Sequence, residues 1–194
     1  MRAERVNAGY AHPPALPEPF RAYLPMTQSL EFQLALYPEP VLRKLSAPLA
    51  VFDGEVERIV EGLFARMRAS KGVGLAAPQV GLKKRMLVLN ATGEPADDIA
   101  LLNVEIVERF GPMTLFSEGC LSFPGIYAEI ERQDGCRVRA CDVRGQPFER
   151  SFTGFEGRIV QHEYDHLEGV LLVDRMSPAD RARHKAALAA GPLV

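Results

Sequence analysis

The feature that most constrains the fold is a histidine pair, His162 and His166, with Glu163 directly after the first histidine. On a helix, residues i and i+4 lie on one face, so two imidazoles at this spacing can reach one metal ion. The Glu163 carboxylate would stand beside that ion, free to act as a base. The pattern therefore predicts a helix here and indicates metal-assisted hydrolysis. A chance pair with only a packing role is the alternative.

Composition narrows the class of protein. A chain of 194 residues with 47% hydrophobic content fits one globular domain of ordinary size. A net charge of −2 with scattered basic residues predicts no direct nucleic-acid binding. No apolar run approaches the roughly 20 residues of a membrane-spanning helix, and the N-terminus lacks the apolar core of a secretory signal. We therefore expect a cytoplasmic protein with no membrane partner.

Two regions differ in pattern. Residues 1–30 are rich in proline and alanine and follow neither structural period, which predicts an extended or poorly ordered N-terminal extension. Residues 31–194 carry the periodic sequence and are expected to form a single catalytic metallohydrolase domain.

Periodicity within that domain predicts an α+β fold. One helix should begin after Asp53, a plausible N-cap, and run to about Ser70. The histidine-bearing helix should start at Thr153–Glu156, which has the spacing of a capping box, and end near Gly169. A last helix is expected over 177–191. Strands are expected at 32–36, 85–89, 99–102, 128–130 and 136–143. Strands followed by this helix favour antiparallel strands packed around a central metal-binding helix, with a further helix in the N-terminal half and one at the C-terminus.

A catalytic metal usually has three protein ligands, so the histidines need a partner. Leu172 stands where one protease class has a third histidine, and Glu168, two residues after His166, points away from the metal face. Cys120 is the better candidate, because Glu118–Ser122 reads as a tight, glycine-flexed segment that can present a thiolate and backbone amides together. A buried cysteine that packs as a small apolar side chain is the alternative.

Three segments together carry a family resemblance. Gly72–Gln79, Glu118–Ser122 and His162–His166 resemble, in order, the three signature motifs of peptide deformylases. The likeness extends from about Leu36 to Arg175. It implies a hydrolase that removes the formyl group from the N-terminal formyl-methionine of newly made polypeptides and releases formate. Its partners would be nascent chains, near the ribosome, in the bacterial cytoplasm or, as an open alternative, in an organelle.

The resemblance also implies the roles of the site residues. Cys120, His162 and His166 would hold one divalent metal ion per chain, and Glu163 would move protons. The Gln79 side-chain amide and the Leu121 backbone N–H would stabilise the oxyanion. Ligand type is compatible with Fe²⁺, Zn²⁺, Ni²⁺ or Co²⁺. The resemblance implies Fe²⁺ in the cell.

The substrate methionine needs an apolar slot beside the metal. Ile159 is well placed for it, because it precedes His162 by three residues and Glu163 by four. Val73 and Phe155 are expected to complete the slot. Backbone groups around Gly74 are expected to pair with the substrate peptide as an added strand.

Two other functions are compatible with the histidine-bearing helix. One is a zinc peptidase of another HExxH type that uses the same helix, and the other is a metal-stabilised binding module without catalysis. A peptidase should cut internal bonds of an unformylated peptide, whereas a deformylase should release formate from formyl-methionyl peptides. A binding module should do neither.

Overall fold

One antiparallel sheet organises residues 30–191, the part of the chain that the computed structural model describes. Its strands, in sheet order, are β1 Gly74–Ala76, β2 Met86–Leu89, β3 Ile99–Cys120, β4 Phe123–Cys141 and β5 Pro147–Thr153. The helices are α1 Gly54–Ala69, α2 Gly154–Leu167, α3 Leu172–Arg175, α4 Pro178–Arg183 and α5 Lys185–Ala190. Short 3-10 turns cover Pro40–Arg43, Ala77–Val80 and Pro95–Asp97. The α+β prediction is confirmed, while the expected extension lies, except for Leu30, outside the described residues.

Helix α1 forms where its sequence predicts. The Asp53 side chain accepts hydrogen bonds from the Glu55 and Val56 amides at 3.0 and 3.3 Å, which caps the helix start. Its apolar stripe packs on one sheet face, against a set that includes Leu75 and Val88. The intervening strand residues face the opposite side and pack against α2. Burial on both faces explains why the β2 sequence is apolar throughout.

Helix α2 begins and ends as predicted, but its start is not held as predicted. The Thr153 side chain makes no capping hydrogen bond, so the expected capping box does not form. Glu156 instead lies 3.6 Å from the Arg150 guanidinium. Gly169 has a φ of +69° just past the helix end, a conformation that favours glycine.

The predicted strands are only partly correct. Residues 32–36 form no strand, because the Ala35 and Tyr37 amides donate to two separate segments and not to a neighbouring strand. Their acceptors are Gln79 O, in a 3-10 turn, and Ser122 O, in the turn after β3. The segments 128–130 and 136–143 largely belong to one long strand, β4. β1 and β5 escaped prediction, since β1 is three residues long and Arg150 interrupts the apolar alternation of β5.

The C-terminal helix predicted over 177–191 is divided at His184. Ser177 caps α4 as expected, with its hydroxyl accepting from the Asp180 amide at 3.0 Å. His184 has a ψ of 5°, and its ring lies 2.8 Å from Tyr127 O. This tie to β4 accompanies the break between α4 and α5. Within residues 30–191, none of the helices has both the length and the apolar character that a membrane crossing requires.

Candidate metal centre

Three candidate ligands converge between β3 and α2. One ligand atom from each of Cys120, His162 and His166 lies within 4.8 Å of the other two, and the Cys120 Sγ is 3.2 Å from His166 Nε2. A tetrahedral ion would separate a thiolate from an imidazole nitrogen by about 3.6 Å. The three side chains therefore need only a small adjustment to bind one ion. The Cys120 alternative of simple apolar packing does not explain this convergence.

Local structure accounts for the convergence. Cys120 is the last residue of β3 and precedes the two-residue turn formed by Leu121 and Ser122, so the glycine-flexed segment is tight, as the sequence predicts. Helix α2 places the two imidazoles on one face, with ring centroids 5.3 Å apart. A hairpin end and a helix face thus supply the two sides of the centre.

A buried carboxylate stands behind His162. Glu118 Oε2 lies 2.9 Å from His162 Nδ1, which leaves the other ring nitrogen to face the centre. Arg132 donates to both Glu118 oxygens at 2.8 and 3.0 Å, and Arg158 donates to one at 2.7 Å. Burial raises the pKa of the Glu118 carboxyl, but the hydrogen bonds from His162 and Arg132 outweigh burial and hold that pKa at about 2. The carboxylate therefore stays charged and fixes the imidazole.

The charged network continues away from the centre. Arg132 also donates to Asp165 at 2.8 Å, and Arg175 reaches the same carboxylate at 2.6 and 3.0 Å. These contacts join α2 to β4 and α3. No sequence pattern predicted a role for Glu118, Arg132 or Asp165. The available signal was that Glu118 alternates with Cys120 along one strand, so both side chains share a face.

Glu163 is buried at 5% exposure, and its Oε2 has no hydrogen-bond partner among the residues that the structure describes. Burial raises the pKa of this carboxyl to about 7, although the neighbouring His162 and Arg132 charges oppose the shift. Gly74 allows the close approach, because a Cβ there would lie 2.5 Å from Glu163 Oε1 and 2.7 Å from the Ile159 side chain. The structure thus brings Gly74, Ile159 and Glu163 together.

The amide of Gln79 reaches the edge of the same centre. Its Oε1 accepts from the Ala76 amide at 2.8 Å, and its Nε2 lies 3.3 Å from Ser122 Oγ and 3.5 Å from Cys120 Sγ. Leu121 directly follows the cysteine, and its side chain covers Gly72, where a Cβ would lie 2.7 Å from Leu121 Cδ1. The three motif segments therefore meet at one place.

The remaining predicted substrate residues lie at the surface. Val73 is 40% exposed, and its carbonyl accepts from the Asn90 amide. Phe155, 47% exposed, lies one helical turn before Ile159 and 6.2 Å from the Phe116 ring. These aromatic rings line a hollow of about 220 Å³ together with Arg158. Of the four residues predicted to bind substrate, Gly74 and Ile159 therefore lie beside Glu163, whereas Val73 and Phe155 are exposed.

A profile of the polypeptide deformylase family matches residues 32–182. The chain is similar to the peptide deformylase of Thermotoga neapolitana, with 42% identity over 150 residues that cover 77% of this chain and 90% of that protein. It is also similar to a chloroplastic/mitochondrial peptide deformylase of Arabidopsis thaliana, with 44% identity over 143 residues. That match covers 73% of this chain and 52% of the plant protein, so the chain spans about half the length of this relative.

Solved structures show the same similarity in three dimensions. A plant peptide deformylase crystal structure superposes with a TM-score of 0.79 at 40% identity, covering 82% of this chain and 88% of that one. The peptide deformylase of Thermotoga maritima superposes with a TM-score of 0.73 at 39% identity, covering 77% of this chain and 99% of that one.

Proposed function

The chain belongs to the polypeptide deformylase family, and we propose that it is a metal-dependent hydrolase that removes the formyl group from N-terminal formyl-methionine of newly made polypeptides. Formate is the second product. The observation that carries this proposal is the convergence of Cys120, His162 and His166 beside the buried Glu163. The zinc peptidase of another HExxH type is not favoured, because the family profile and the similar structures are deformylases.

The donor set fits one divalent metal ion held by Cys120, His162 and His166. Burial, and then the neighbouring His162 and Arg132 charges, lower the pKa of His166, which favours the neutral imidazole that a metal needs. When bound, the metal would supply a water of lowered pKa and polarise the formyl carbonyl. Because α2 contacts all five strands, it would be the central metal-binding helix of a single catalytic domain over 31–194.

Glu163 is the proposed proton carrier. A general acid or base works best when its pKa lies near the operating pH, and burial brings the pKa of Glu163 to about 7. Its carboxylate would take a proton from the attacking water and later donate a proton to the leaving amine. The Oε2 atom, which has no partner among the described residues, is available for this transfer.

Two donors are proposed for the oxyanion that develops on the formyl oxygen. One is the Gln79 amide, which lies at the edge of the centre, and the other is the backbone N–H of Leu121, which follows Cys120 in the turn. Donors held in place before the reaction stabilise the transition state without reorganising. Both residues would therefore act mainly on kcat.

Substrate binding is proposed at the surface in front of the centre. Val73, Phe155 and Ile159 would line the slot for the methionine side chain, and Gly74 would pair its backbone with the peptide. The close approach of Ile159 and Glu163 to Gly74 supports this assignment, as do the exposed apolar side chains of Val73 and Phe155. Because backbone pairing reads no side chains, selectivity beyond the methionine should be loose.

For the metal in the cell we propose Fe²⁺, with Zn²⁺, Ni²⁺ and Co²⁺ as ions that the same ligands accept. An iron–thiolate site is open to oxidation. We therefore expect the iron form to lose activity in air while a nickel form keeps it, and equal decay of both forms would contradict this proposal. The substrate would place the enzyme near ribosomes, in the bacterial cytoplasm or an organelle.

The deciding experiment offers the metal-loaded protein two peptides of one sequence, with and without the N-terminal formyl group. Release of one formate per formylated peptide, without cleavage of an internal bond, is the expected result. Internal cleavage of the unformylated peptide would establish a peptidase instead. No reaction with either peptide would contradict the proposed function.

A further inference from the structure

Ser122 makes a buried contact with Gln79. The residue is fully buried, at 0% exposure, and its hydroxyl oxygen lies 3.3 Å from the Gln79 Nε2. Gln79 itself is only 1% exposed. A buried amide and a buried hydroxyl therefore face each other directly beside Cys120.

Each hydrogen-bonding group of the Gln79 side chain has an identifiable partner. A glutamine side chain has one carbonyl oxygen and two N–H donors. The Ala76 amide donates to the Gln79 Oε1 at 2.8 Å, so turning the amide over would set two donors against each other. Ser122 Oγ takes one of the two N–H groups. The other donates to Cys120 Sγ at 3.5 Å, so it already points into the centre.

Contacts from the segment that contains Ala35 and Tyr37 hold Ser122 and Gln79 in place. The Tyr37 amide donates to the Ser122 carbonyl at 2.9 Å, and the Tyr37 ring stacks on Phe123 with centroids 4.8 Å apart. Two residues earlier, the Ala35 amide donates to the Gln79 carbonyl at 2.7 Å. One short segment thus holds both partners, and such support keeps an active-site donor aligned.

We infer that Ser122 is a positioning residue, whose hydroxyl accepts one N–H of Gln79 so that the second N–H is directed at the developing oxyanion. This inference rests on the proposed function. Ser122 would touch neither the substrate nor the metal and would act only through Gln79. Its loss should therefore lower kcat while KM changes little.

A double-mutant cycle on the metal-loaded enzyme tests the inference. Ser122→Ala should lower kcat about tenfold, the effect of one misplaced hydrogen bond, with KM within about twofold of the wild type. Gln79→Ala should lower kcat about a hundredfold. In the Gln79→Ala background, Ser122→Ala should change kcat by less than about twofold, because no amide remains to be positioned. The same tenfold loss in both backgrounds, or an unchanged kcat in the single variant, would overturn the inference.

A second measurement is independent of activity. In the diamagnetic zinc form, the side-chain NH₂ signals of Gln79, identified by their absence in Gln79→Ala, should shift in the NMR spectrum of Ser122→Ala at unchanged metal content. Unshifted signals would refute the contact, even if the wild type released no formate and the proposed function had failed. Ser122→Thr, which keeps the hydroxyl, should restore at least half of the lost kcat. If Ser122→Ala does not fold, Ser122→Cys, a similar size with a weaker acceptor, must show the same shift and loss.

Discussion

Two buried glutamates, Glu118 and Glu163, lie close to His162 in the fold or in sequence, and their surroundings differ. Glu118 is 6% exposed and Glu163 is 5% exposed, yet the pKa of the first is about 2 and that of the second about 7. Burial raises the pKa of Glu118, but hydrogen bonds from His162 and Arg132 outweigh it, and Arg158 donates a further hydrogen bond to the same carboxylate. Among the described residues, the Oε2 of Glu163 has no hydrogen-bond partner, and burial is the largest influence on the pKa of this carboxyl.

The difference separates a supporting region from a reacting region. Behind His162, each charge meets an opposite charge, and a satisfied network holds one geometry. Around Glu163, whose Oε2 has no hydrogen-bond partner among the described residues, the predicted substrate residues Val73 and Phe155 expose apolar side chains. Substitutions at Glu163 should therefore lower catalysis and leave the fold intact. Substitutions in the Glu118 network should destabilise the fold and weaken metal binding together.

The largest expected effect comes from the centre itself. Cys120→Ala should abolish both stoichiometric metal binding and formate release, because two histidines alone rarely hold a catalytic ion. Removal of the metal from the wild type with a chelator should have the same effect on activity, reversed when metal is restored. Metal analysis after gel filtration, together with the formate assay, checks this. Full metal content and turnover in Cys120→Ala would remove this residue from the ligand set.

Glu163→Ala should lower kcat about a thousandfold and keep one metal ion per chain, since it removes the proton carrier and no ligand. Glu163→Gln is the matched control, because it keeps the shape without the ability to accept a proton. Both variants should unfold at the temperature of the wild type or above it. Retained turnover in either variant would overturn the assignment of the base.

The metal ligands could be predicted from the sequence, whereas the charged network around Glu118 could not. The pair at His162 and His166 has a fixed helical spacing, and Cys120 lies in a short glycine-containing segment, so local pattern suffices to nominate them. Arg132 and Asp165 become partners only when β4 packs against α2. A scattered charge carries no local signal of its partner, so this network could not be predicted.

The same distinction holds for the fold. Helix α1 was predictable because its cap and its apolar stripe are both local. The long pairing of β3 with β4 contains several register shifts. The apolar residues of these strands therefore occur in short runs, which predicted separate strands. The division at His184 coincides with a contact to Tyr127, far away in sequence. Tertiary contacts therefore decide what the local pattern leaves open.

An intermediate effect, on both stability and metal affinity, is expected from Glu118. Glu118→Gln should lower the free energy of unfolding by about 3–5 kcal/mol, because it leaves the buried Arg132 and Arg158 without a full counter-charge. Metal affinity should fall about 10–100-fold as the imidazole loses its fixed orientation. Urea unfolding and metal titration measure the two effects. Glu149→Gln, in the exposed pair with Arg139, is the control and should change stability by less than about 1 kcal/mol. An equal, small effect of both variants would erase the distinction between the two regions.

The smallest effect on stability is expected at the surface ion pair between Asp174 and Arg43. Burial raises the pKa of Asp174, but the hydrogen bonds from Arg43 and the Leu171 amide outweigh it and lower that pKa. A pKa that is lower in the folded state stabilises the fold above the unfolded value, about 3.9, and this contribution is lost as pH falls through the folded value. Asp174→Asn should therefore lower the free energy of unfolding by less than about 1 kcal/mol at pH 7, since the pair is exposed to solvent. Urea unfolding from pH 7 to pH 3 should show the variant and the wild type converging below about pH 4. A loss of stability as large as that of Glu118→Gln, or one that stays constant down to pH 3, would contradict this. It would mean that the surface pair contributes to stability as the buried charged network does.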